Sequence, residues 1–174
     1  AWIVSGAFYG APETAQVHVL AMPEFGDIAS GNTVGMAPDT WRAFPRAAEA
    51  RVTLAHELVH SFVWVPIERS DPLFALVVEG FPSYFHLPVL EELLGEGFLA
   101  RFLVRTEDDY LRRRALAALG PEPALSALRA EDIGRFKDRF VLNDRALLFL
   151  DYLRRSLGSE RFGALVRSLF ARQR

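Results

Sequence analysis

The spacing of apolar residues changes near position 45. Before it, Gln16-Val17-His18-Val19-Leu20-Ala21-Met22 is alternating and β-branched, which predicts a short strand ended by Pro23. Glu24 to Gly35 is rich in Gly, Ser and Asn and predicts a loop, with a second short strand over Thr33 to Ala37. From Pro45 onward the period is helical. Ala48, Val52, Ala55, Val59 and Phe62 recur at steps of four and three, one buried stripe on a helix that Pro66 must end. Ser70-Asp71-Pro72 reads as a helix start, a capping side chain followed by Pro at the first helical position. That helix is expected to run to about Leu87, kinked or shortened by Pro82, whose ring meets the preceding turn and which has no N–H. Further helices are expected, with breaks at Gly95-Glu96-Gly97, Gly120-Pro121 and Gly158-Ser159. The fold class this predicts is α+β, a small N-terminal sheet followed by a mostly helical remainder.

Composition narrows the chemistry. The 174 residues fit one domain, 1–174, with a proper core. About half the residues are hydrophobic (51%) and a quarter charged (24%), an ordinary soluble balance. A net charge of -2 gives no bulk attraction to nucleic acid or acidic lipid. The absence of cysteine excludes disulfides, thiolate metal sites and cysteine nucleophiles, and leaves the compartment unreadable. No apolar run reaches the roughly 18 residues of a membrane helix. Ala1-Trp2-Ile3-Val4 lacks both an initiator Met and a signal-peptide layout, so processing and excision from a longer chain both stay open. Lys137 is the only lysine, so 19 of the 20 basic residues are arginine, which fits a GC-rich genome.

The chemistry concentrates in His56-Glu57-Leu58-Val59-His60. Histidines four apart on a helix lie about 40° from each other around its axis, so both imidazoles can reach one ion at about 2.0–2.1 Å. Glu57 is rotated about 100° from His56, beside such an ion, where a base acting on bound water belongs. The next helix carries Glu79, 19 positions after His60, inside the apolar run Leu73 to Phe85. A buried unpaired carboxylate is costly there, and a metal removes the cost. Two histidines and a glutamate with an open fourth position form a catalytic zinc arrangement, one Zn2+ per chain.

His56-Glu57-Leu58-Val59-His60 followed by Glu79-Gly80-Phe81 and Ser83-Tyr84 resembles the aminopeptidase N-like gluzincins, with Met22-Pro23-Glu24-Phe25-Gly26 and Leu153-Arg154-Arg155-Ser156-Leu157-Gly158-Ser159-Glu160-Arg161-Phe162 extending the resemblance over roughly residues 8–170. It implies a thermolysin-like zincin catalytic domain without that family's large N-terminal β domain. It also implies a zinc metallopeptidase acting on a peptide or protein substrate, with His56, His60 and Glu79 on the metal and Glu57 as general base. In two places the pattern departs. Asn32 falls near the family's amine-binding glutamate, and Asn143 takes the place of its oxyanion-binding tyrosine, with Tyr110 and Tyr152 the nearest tyrosines. Asn143 also reads as a cap for a helix beginning near Asp144. Ser83 and His86, at i+4 and i+7 from Glu79, are candidates for orienting a ligand, against a surface position as the plainer reading. His18 reads as a strand residue and Arg112-Arg113-Arg114 as a solvated helix face. The alternative class is a zinc-bearing domain of little or no activity that serves as a binding or structural module. Glu57 discriminates, because a structural zinc needs no base.

Overall fold

The computed structural model describes residues 17–22, 28–30, 33–61, 67–95, 97–115, 124–128 and 136–171, with backbone alone at 28–30 and 136–141. Strands β1 (His18–Ala21), β2 (Ile28–Ser30) and β3 (Thr33–Met36) form one sheet in the order β1-β3-β2. β1 pairs parallel to β3 with His18 opposite Thr33, and β2 pairs antiparallel to it with Ile28 opposite Gly35. β2 lies where a loop was expected. Its backbone groups pair with β3, which rescues a segment whose local composition favours turns. β3 fills the centre and is the strand that faces the core, with Val34 and Met36 fully buried.

Helices follow: α1 (Pro38–Ala43), α2 (Ala48–His60), α3 (Phe81–Leu94), α4 (Phe98–Ala115), α5 (Phe136–Leu157) and α6 (Ser159–Ala171). α2 ends at His60 with Ser61 as its cap. Its buried residues include Ala55 and Val59 as the stripe requires, but Ala48 is exposed and Ala50 is buried instead. Phe62 and Pro66 lie outside the described residues.

The helix expected from Pro72 to Leu87 starts later and runs further. Asp71 spends its carboxylate on the Leu73 N–H at 2.7 Å, closing a turn. A π-helical turn, Leu76–Gly80, then leads into α3, which continues to Leu94. Pro82 sits in the first turn of α3, where its missing N–H is tolerated, and the irregular turn is confined to the residues before it. Pro88 lies inside α3 without ending it. Gly95, Gly97 and Gly158 adopt positive φ (89°, 79° and 77°) and separate α3 from α4 and α5 from α6. Gly120-Pro121 lies outside the described residues. The main core gathers Val59 of α2, Val77 of the π turn, Phe81, Tyr84, Phe85 and Leu87 of α3, Leu147 and Leu150 of α5, and Phe162 and Val166 of α6. Among the described residues no helix is long and apolar enough to cross a membrane.

Candidate metal centre

α2 and the π turn put three donor atoms at one place. His56 and His60 project from successive turns of α2, with ring centroids 4.8 Å apart and planes at 79°. Their Nε2 atoms are 3.1 Å apart. Oε2 of Glu79 lies 3.5 Å from His56 Nε2 and 4.0 Å from His60 Nε2. A tetrahedral ion with bonds of about 2.0–2.1 Å needs ligand atoms about 3.3 Å apart. The observed triangle brackets that edge length, so the donor set and its spacing fit zinc. A carboxylate oxygen of Glu57 belongs to the same cluster, within 4.8 Å of both histidine donors. His56, Glu57 and Glu79 are 8%, 3% and 9% exposed, and His60 is half-buried.

Ala55 and Val59 turn the other side of α2 into the core against Val89, Leu90, Val77 and Phe81. That packing fixes the roll of α2, and with it the direction of both imidazoles.

Ser83 and His86 are both buried, at 3% and 4% exposure, so the surface reading of each is corrected. α3 is covered by neighbours on nearly every side, which its sequence period does not reveal. The His86 Nδ1–H donates to the Pro82 carbonyl at 3.1 Å, leaving Nε2 as the lone-pair nitrogen. Burial first, and then nearby His56, pull its pKa down to about 3, only partly offset by the Pro82 bond, so the ring is neutral. Its ring centroid is 5.8 Å from that of His56. Ser83 Oγ and His86 Nε2 have no hydrogen-bond partner among the described residues.

Asn143 lies well inside α5, seven residues after its start at Phe136, so it does not cap a helix at Asp144. Leu142, Ala146, Leu147 and Leu150 carry the buried face of α5 through this region, and side-chain packing overrides the local capping signal. Asn143 stands one turn before Ala146, whose Cβ faces Gly80 of the π turn. Asn32 and Asp27 lie outside the described residues. Tyr152 is 68% exposed. His18 is exposed on β1, and Arg112 pairs with Asp109 at 3.6 Å on the outer face of α4.

One contact that the sequence does not flag ties α3 to α5, and a buried ion pair within α5 lies beside it. The Tyr84 hydroxyl bonds to Arg154, and burial, partly countered by that guanidinium, pushes its pKa up to about 12. Asp151, 2% exposed, is held by Arg154 at 3.4 Å and by Arg155.

The described architecture is α+β and mostly helical, and solved structures share it. A two-domain M1 zinc metallopeptidase, a glutamate-to-alanine variant bound to L-tryptophan, matches 98% of this chain at a TM-score of 0.67 and 22% identity. Two structures of a glutamate-to-alanine variant of an M1 zinc metallopeptidase from Deinococcus radiodurans, one with a Tyr-Ser-Ala substrate, each match 98% of the chain at a TM-score of 0.62 and 22% identity. The chain spans 35% of the length of each of these neighbours. No protein-family model matches the chain, and no curated protein matches it by sequence.

Proposed function

We propose that this chain is the zinc-site domain of an M1-type metallopeptidase that hydrolyses peptide bonds. The observation that carries the reading is the donor triangle of 3.1, 3.5 and 4.0 Å formed by His56, His60 and Glu79 in a fold shared with zinc metallopeptidases. His56, His60 and Glu79 would hold one zinc, leaving a fourth position for water or substrate. When bound, the metal supplies a Lewis acid that lowers the pKa of water and polarises a carbonyl. Glu57, 3% exposed and beside the donors, then takes the proton from the attacking water and hands it to the leaving amine.

A second reading, a zinc-binding module of little or no activity, is favoured by Asn143 at the place of the family's oxyanion-binding tyrosine and by the 68% exposure of Tyr152. The two readings part at Glu57. Zinc content and turnover of a mixed peptide library are compared between the wild-type chain and Glu57→Gln. The catalytic reading expects equal zinc and a loss of about 10²-fold or more in turnover. Equal turnover in the two proteins would favour the module.

A further inference from the structure

We infer that Gly80 is a positioning residue for Glu79: its missing side chain lets α5 approach close enough to hold the π turn, and hence the Glu79 carboxylate, against the two histidines. The inference rests on the zinc-site reading given above.

Gly80 has φ -67° and ψ -47°, right-handed helical values open to any residue. Its absence of a side chain is therefore about space, not backbone freedom. A Cβ at this position would lie 2.7 Å from Ala146 Cβ and 2.9 Å from Leu76 Cδ1. The Leu76 methyl can rotate away. Ala146 Cβ cannot, because it is fixed to the backbone of α5, and Ala146 is fully buried. Carbon atoms in contact prefer about 3.5 Å or more, so the two backbones would have to part by roughly 0.8 Å.

Glu79 is the neighbouring residue on that backbone. The Phe81 N–H donates to the Leu76 carbonyl five positions back, the bond that defines the π turn. Val77 and Phe81 on either side are pinned in the main core with Leu147 and Leu150 of α5. A retreat of α5 is thus passed on to the turn that carries Glu79. Metal–ligand bond lengths are held to within about 0.2 Å, and a backbone shift of about 0.8 Å at Glu79 would come on top of the side-chain adjustment that already closes the donor triangle. The sequence holds a trace of this: a glycine inside an apolar helical run is unfavourable unless packing requires it.

The test uses the complete chain and reads zinc affinity by competition with a chromophoric chelator, the absorption spectrum of the cobalt(II)-substituted protein, and thermal unfolding in excess chelator. Gly80→Ala is expected to lower zinc affinity by about tenfold or more, the usual scale for residues that orient ligands, and to alter the cobalt spectrum. Ala146→Val, which loads the same contact from α5, is expected to do likewise. Gly80→Ala combined with Ala146→Gly reopens the contact and is expected to return to within about threefold of wild type. If Gly80→Ala does not fold, Ala146→Val and the double variant decide the matter. Lower metal-free stability with unchanged zinc affinity in the single variants would overturn the inference and make Gly80 a packing residue only. So would a double variant as impaired as Gly80→Ala. A wild-type chain that binds no zinc would overturn the zinc-site reading itself, and this inference with it.

Discussion

Stripping zinc from the wild-type chain is expected to lower its melting temperature by several degrees, and substituting any of the three donors is expected to abolish the difference. The donor distances of 3.1, 3.5 and 4.0 Å need to move by at most about 0.7 Å to reach the 3.3 Å edge of a zinc tetrahedron. Small side-chain rotations suffice, so little binding energy is lost to rearrangement. A ligand that binds only the folded state, at a free concentration 100 times its Kd, stabilises that state by about 2.7 kcal/mol. In a chain of 174 residues each kcal/mol moves the midpoint by about 2–4 °C, which gives a shift of roughly 5–11 °C. Scanning calorimetry in chelator and in buffered zinc measures it, with elemental analysis after dialysis to give the stoichiometry. His56→Ala, His60→Ala and Glu79→Ala should each lose the metal and melt at the same temperature in both buffers. Full zinc retention in all three variants, or a wild-type midpoint indifferent to zinc, would refute the reasoning from the donor triangle.

Burial, opposed by Arg113 and reinforced by Asp109, raises the Asp144 pKa from 3.8 to about 6. The folded state thus prefers the protonated acid, and this group's contribution to stability is complete below about pH 4 and lost as the pH rises through 6. Asp144→Asn should therefore gain about 2–3 kcal/mol over wild type at pH 7.5 relative to pH 4 in urea titrations, and a gap independent of pH would contradict the burial argument. Because no glutamate stands between Gly26 and Met36, a peptide and its N-acetylated twin should be cleaved at comparable rates; a preference of a thousandfold or more for the free amine would show that another acid, such as Asp27 or Asp39, binds it. Asn143→Ala should leave stability unchanged or raise it by about 0.5 kcal/mol, since the position is interior to α5 and alanine is the better helix former, whereas a loss near 1 kcal/mol would restore the capping role.

The histidine pair was legible because its geometry is local. A spacing of four on any helix puts His56 and His60 on one side, and the stripe at Ala55 and Val59 makes that helix amphipathic whatever it packs on. The breaks at Gly95, Gly97 and Gly158 were legible for a similar reason: glycine punctuates helices through its own backbone freedom, and each of these residues does adopt positive φ. β1 and β3 followed from alternation and β-branching. What tertiary structure decided are relations between segments. β2 exists because β3 offers it a partner, and Asn143 is interior because packing carries α5 past the local capping signal. The burial of Ser83 and His86 depends on neighbours that α3 acquires only on folding. The π turn beneath Glu79 and the close passage of Gly80 by Ala146 are of the same kind. Residue type and spacing along one chain set directions around a helix axis. The distance between two helices is set by the side chains of both, and a sequence read one segment at a time does not contain it.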